Sequence, residues 1–199
     1  MTDRIALLAD AAIEVVAARG MRGLTHRAVD AQAGVPQGST SAYFRTRKAL
    51  VEGLVQRLAD VETAEIEATR LDRDAVEGPL DLERLASGIA ALLDHWLTAG
   101  RSRSLARFAC LLEATHHPEL RTILAHGDRP RAQARDLVAL AGSADPDRDS
   151  RALVAFIDGL LFDRLAGGGV ATAPPPGTPE SREQLRHAVQ AALVGVLKG

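Results

Sequence analysis

Apolar residues recur at intervals of three and four along nearly the whole chain, and no two-residue alternation bounded by turn residues persists anywhere. Intervals averaging 3.6 place such residues on one face of an α-helix, whereas a half-buried strand needs strict alternation. The fold class read from this pattern is all-α. Ile5, Leu8, Ala12, Ile13 and Val16 stripe a first helix ending at Gly20, a natural residue for a helix C-terminus. Thr25 caps a short second helix from His26 to Ala33, closed by Gly34. Pro36, whose φ is preset for helix, opens a third ending near Phe44. Thr46 then caps a long helix carrying Leu50, Leu54, Leu58 and Val61.

The pattern breaks at residues 72–81, the best internal joint in the chain. Beyond it Leu82, Leu85, Ile89, Leu92, Leu93 and Trp96 mark one helix, and Leu105, Phe108, Ala109 and Leu112 another ending at His116-His117-Pro118. A further helix starts at Pro118 and bends or breaks between Gly127 and Pro130. Residues 148–166 form a helix apolar on more than one face. Residues 167–179 are too rich in Gly and Pro for regular structure and read as a flexible connection. A last amphipathic helix carries Leu185, Ala188, Val189, Ala192, Leu193 and Val196.

Composition narrows the class. Of 199 residues 46% are hydrophobic and 25% charged, the balance of a folded globular chain. The single cysteine, Cys110, excludes an intrachain disulfide. The first twenty residues include Asp3, Arg4, Asp10, Glu14 and Arg19 where a secretion signal needs an apolar core, and Asp158 and Asp163 interrupt the most apolar stretch. The expectation is a cytoplasmic protein that makes no use of a membrane. Seven Lys/Arg against four acids in residues 1–50 give the front a surplus of three positive charges, on a body that is net acidic. That asymmetry suits an N-terminal part that meets a polyanion.

Two short helices joined by a tight glycine-containing turn, the second polar and followed by cations, form the pattern of a helix-turn-helix. A helix that enters a groove about 12 Å wide needs small polar side chains to meet base edges. Gln37, Ser39, Thr40 and Ser41 supply them, and Gly38 permits close approach. Tyr43, Arg45, Arg47 and Lys48 stand where they can grip the phosphate backbone. At the other end the N–H groups near Thr25 and His26, with Arg27, make an anion site.

At these residues the sequence resembles the TetR family of bacterial transcriptional regulators. The stretch "ARGMRGLTHRAVDAQAGVPQGSTSAYFRTRKAL" holds Gly20, Thr25, Ala33, Gly34, Val35, Gly38, Ser39, Tyr43, Phe44, Thr46 and Leu50 in register with the family pattern. It departs in Thr40-Ser41 for the usual Leu-Tyr pair, in Pro36 for Ser and in Arg47 for Lys. The resemblance implies a DNA-binding domain over residues 1–50 with a linking helix at 47–70, and a helical ligand-binding and dimerisation domain over 71–199. It implies a homodimer on palindromic double-stranded operator DNA, repression, and release by a small-molecule effector.

The Asp158-Gly159 pair and the apolar residues after it are similar to the family's eighth helix, which with the last helix usually builds a four-helix dimer bundle. The interface set is then Phe156, Leu160, Leu161, Leu185, Val189, Leu193 and Val196. Trp96, Phe108, Cys110 and Phe156 are the candidates for lining an effector pocket. With 3% aromatics the sequence shows no obvious stacking box for flat ligands. Two other readings compete. Cys110, Glu113 and His117 share one helix face and make a weak metal set, so a metal-responsive regulator is one alternative. A helical adaptor without specific DNA binding is the other. No second Glu-x-x-His, no nucleophile elbow and no phosphate-binding loop is present, so no enzyme and no cofactor is expected.

Overall fold

The computed structural model describes residues 3–69, 81–117, 120–121 and 129–198. Their helices are α1 (Asp3–Gly23), α2 (His26–Gln32), α3 (Ser39–Tyr43), α4 (Arg47–Thr69), α5 (Leu82–Leu97), α6 (Arg101–Glu113), α7 (Arg129–Leu140), α8 (Pro146–Ala166), α9 (Gly169–Thr172) and α10 (Pro179–Lys198). No strand occurs among the described residues, and none of their helices is long and apolar enough to cross a membrane. The chain forms two compact units, one of residues 1–62 with 102–128 and one of residues 63–101 with 129–199.

In the first unit Leu8, Ala12, Ile13 and Val16 of α1 meet Leu24, Val29, Leu50 and Leu54 in one apolar core, joined by Ala106 and Cys110. Arg57 grips Asp10 with two hydrogen bonds, 2.7 Å from Nε and 2.9 Å from the terminal nitrogen, and so ties α4 to α1. Gly20 leaves helical geometry at φ 65° and ψ −179°, and one further turn carries α1 on to Gly23. A break at Gly20 is where the sequence puts it; the extra turn is not. Thr25 caps α2 by accepting the Ala28 N–H at 3.1 Å, and Gly34 closes the helix at φ 65°. The third helix starts later than proline suggests. Gly38 stands at φ 94°, which stops any helix from running through it, so Pro36 opens a turn whose carbonyl accepts Ser39 N–H at 3.1 Å. Thr46 caps α4 through Ala49 N–H at 3.1 Å.

In the second unit α5 packs on α10, α8 on α7, and α8 also meets α10 and α5. Leu85, Ala86, Ala90, Leu93 and Leu97 of α5 are buried, as are Leu185, Val189 and Leu193 of α10. Asp81 caps α5 and Asp145 caps α8, each through a side-chain oxygen at 3.0 Å. Pro146 sits in the first turn of α8, where its missing N–H costs nothing, and the helix begins there rather than at 148.

Residues 167–179 overturn the expectation of a flexible connection. They contain α9, and polar contacts fasten the rest. Gly169 N–H donates to Asp163 at 3.2 Å, and Gly177 N–H donates to the buried Asp94 carboxylate at 2.7 Å. Arg182 reaches the other oxygen of Asp94 at 2.8 Å. A composition that forbids a long helix still permits fixed turns when a buried carboxylate collects their N–H groups. The expected joint at 72–81 lies outside the described residues apart from Asp81, and so does Pro118; of the expected bend at 127–130, residues 129 and 130 begin α7 and the other two lie outside the described residues.

Candidate nucleic-acid interface

The head is organised around a residue that the motif reading passed over. Asp30, on α2 next to the core residue Val29, is 3% exposed and accepts hydrogen bonds from the turn and from α3. Its Oδ2 takes Gly38 N–H at 2.7 Å, while Oδ1 takes Thr40 N–H at 2.7 Å and the Thr40 hydroxyl at 2.5 Å. Burial pushes the carboxyl up, but these hydrogen bonds and the nearby His26 outweigh it and leave Asp30 below the ordinary carboxylate value. One sequence signal pointed to it: an acid at a core-facing position of a short helix, just ahead of a turn rich in backbone donors.

Several candidate contacts prove to be internal braces. Thr40 is fully buried with both polar groups on Asp30, so it faces inward and cannot meet a base edge. The loss of apolar packing where the family pattern carries leucine is thus made good by a polar clasp. Arg47 donates from both terminal nitrogens to the carbonyls of Leu24 at 2.5 Å and Met21 at 2.8 Å, satisfying the end of α1. His26 contacts the Phe44 carbonyl at 2.6 Å through its ring, and the Thr25 hydroxyl is spent on its cap. Of the candidate contacts, Thr25, Arg27, Gln37, Gly38, Ser41, Tyr43, Arg45, Arg47 and Lys48 are exposed, His26 and Ser39 are half-buried, and Thr40 alone is buried. Lys48 lies 3.9 Å from Glu52, a contact too long and too exposed to hold it.

The candidate effector residues divide between the units. Cys110 belongs to the core of the first, 3.7 Å from the Met21 sulfur, with its thiol pushed up to about 12 by burial and by Glu113. Phe108 is half-buried under the Arg107 guanidinium, 5.4 Å from its ring centre. In the second unit the Trp96 indole donates to Glu65 Oε2 at 2.9 Å and His95 meets Glu65 Oε1 at 3.0 Å, around a carboxylate whose side chain is 19% exposed. Glu65 carries no signal in the sequence, because it is one of several acids along α4 and nothing local marks it out from Glu62 or Glu67. His117 pairs with Glu113 at 3.4 Å, and among the described residues no group of three His, Cys, Asp or Glu side chains could hold a metal ion. With Cys110 sealed in the core, the proposed metal set does not assemble.

The interface set also needs correction. Leu161, Leu185, Val189 and Leu193 are buried within the chain's own second unit and are not available to a partner. Phe156 is 39% exposed, and Leu160 and Val196 are half-buried. The outward apolar face of α8 runs instead through Ala152, Ala155, Phe156, Gly159 and the 40% exposed Phe162. On α10 the exposed small residues are Ala191 and Gly195.

A helix-turn-helix followed by further helices is the architecture of an all-α DNA-binding regulator. Residues 8–54 match the profile of bacterial regulatory proteins of the tetR family, and residues 80–195 match that of the tetracyclin repressor-like C-terminal domain. The chain belongs to the TetR family of transcriptional regulators. Among solved structures it is similar to a TetR-family member from Streptomyces coelicolor A3, at 26% identity over 96% of this chain and 98% of that one, with a TM-score of 0.69. It is also similar to the multidrug binding protein EbrR in complex with ethidium, at 27% identity over 96% and 98% of the two chains, TM-score 0.63. A transcriptional regulator from Rhodococcus sp. Rha1, at 24% identity over 97% and 95%, shares the fold with a TM-score of 0.74. No curated protein matches the chain.

Proposed function

We propose that the protein is a repressor that binds a palindromic operator as a homodimer and leaves it when a small molecule occupies the body. The observation that carries this reading is the outward face of α3. Ser39 and Ser41 of α3 and Gln37 of the turn before it present polar groups there, and Arg27, Tyr43, Arg45 and Lys48 supply groups suited to phosphates. On this reading Thr25, His26, Thr40 and Arg47 act by holding the head in shape. The likeness of residues 80–195 to a repressor's C-terminal domain supports repression. DNA binding falls to residues 1–50, with 47–70 as the linking helix, and effector binding and dimerisation to 71–199, in a protein that works in the cytoplasm.

A single helix-turn-helix reads too few base pairs alone, so two heads must be paired. The α8 face of Ala152, Ala155, Phe156, Gly159 and Phe162, beside Ala191 and Gly195 of α10, suits close packing against its own copy. The effector is read as a small molecule held by the body, since the similar EbrR is a multidrug binding protein. EbrR is solved in complex with ethidium and with malachite green.

The test is selection of bound duplexes from a random pool by the purified protein, followed by salt titration of the best binder. A palindromic consensus with two protomers per site is expected, with the salt slope falling by about 1 for each phosphate contact removed by Arg45→Ala or Lys48→Ala. Malachite green should bind the protein in the absence of DNA and should release it from the duplex. Failure to enrich any sequence would remove the DNA-reading role from α3.

A further inference from the structure

We propose that Asp30 is the positioning residue for DNA readout, its carboxylate setting the height and pitch of α3 against the groove. The inference rests on the DNA-binding reading above and assigns a role to a residue that would touch no DNA. A helix of five residues, Ser39–Tyr43, cannot hold itself, because forming the first turn fixes several dihedrals for one hydrogen bond. Something else must fix it in place. Its N-cap residue is Gly38, which has no side chain to cap with, and the two N–H groups there point to Asp30 instead. Asp30 therefore caps α3 from the preceding helix, as a carboxylate set at the positive end of the helix dipole.

The grip is rigid at both ends. Asp30 follows the fully buried Val29, and its own carbonyl accepts Val35 N–H at 3.0 Å, so its backbone is fixed from either side of the turn. Thr40 offers two donors to one oxygen and sits between Ser39 and Ser41, the side chains that would meet bases. Any tilt at Thr40 moves both. Asparagine in place of Asp30 is nearly isosteric but accepts at one atom only, so either Gly38 or Thr40 would face a donor.

The test uses the full-length protein with Asp30→Asn and with the double variant Asp30→Ala/Thr40→Leu, which trades the polar clasp for an apolar contact. Specific affinity for the wild-type-selected duplex should fall about tenfold or more in Asp30→Asn, the scale of one lost charged hydrogen bond. Salt-dependent binding to unrelated DNA should stay the same, a split that general destabilisation would not give. The double variant should recover most of the specific affinity. Amide exchange at Gly38 and Thr40 should quicken in Asp30→Asn while the α1 amides stay protected. Wild-type specific affinity in Asp30→Asn, or unchanged exchange at Gly38 and Thr40, would overturn the assignment. Should wild type select no duplex, the DNA-reading role fails, while the exchange result still decides whether Asp30 anchors α3.

Discussion

Gly53 lies inside α4, where replacing glycine by alanine usually stabilises a helix by about 1 kcal/mol. Here the opposite is expected. A Cβ built on Gly53 would stand 2.7 Å from Phe44 Cζ and 3.2 Å from Cδ1, with Cε1 nearer still. Phe44 is 7% exposed within the apolar core, so its ring cannot swing into solvent. Its backbone is also engaged: the N–H donates to the Thr40 carbonyl at 2.8 Å, and its own carbonyl meets the His26 ring. Overpacking of this kind costs about 1–3 kcal/mol. Set against the helix gain, Gly53→Ala should lose about 1 kcal/mol, which for a chain of this length lowers Tm by about 2–4 °C. The control is Gly88→Ala in α5, where an added Cβ meets nothing within 4 Å and a gain of about 0.5–1 kcal/mol is expected. Thermal unfolding followed by circular dichroism compares the two. A rise in Tm for Gly53→Ala equal to that of Gly88→Ala would refute the packing argument.

Two further outcomes follow from buried polar or ionisable groups. Cys110 is 1% exposed and its thiol titrates near 12, so a thiol reagent at pH 8 should label it only on unfolding, and rapid stoichiometric labelling of the folded chain would show the core to be open there. Asp94→Ala strands Gly177 N–H and the Arg182 guanidinium; the loss should be about 1–3 kcal/mol in urea unfolding, with faster proteolysis between residues 167 and 178, and wild-type behaviour in both would mean that the clasp holds nothing.

The apolar period was enough to read the helices because burial repeats every turn, and the caps at Thr25 and Thr46 follow from local chemistry alone. The register of the head was legible for the same reason: glycine positions such as Gly34 and Gly38 mark backbone conformations that other residues rarely adopt. Direction was not legible. Thr40 reads as a polar contact on an outward face until Asp30, ten residues earlier, is seen beneath it. Arg47 reads as a phosphate contact, and nothing in the sequence shows that it also donates to carbonyls more than twenty residues back. Small polar side chains obey no period, so their partners emerge only when the helices are packed.

The same limit applies to the proposed dimer face. A helix apolar on several sides has to satisfy its own core and a partner, and periodicity does not divide the residues between them. Leu185, Val189 and Leu193 recur every four residues on one face of α10, so that face is drawn into the chain's own core, leaving Ala191 and Gly195 outside. On α8 the division differs, because Leu153, Leu161 and Leu165 fill the interior and the aromatic Phe156 and Phe162 remain half out. Small residues beside exposed aromatics allow two helices to approach closely while the rings fill the gaps, which is the packing that a self-complementary surface requires. A single charge at Phe162 should therefore weaken association. Phe162→Glu is expected to sediment as a folded monomer at micromolar concentration where wild type sediments as a dimer, and a wild type already monomeric there would remove the dimer from the proposal.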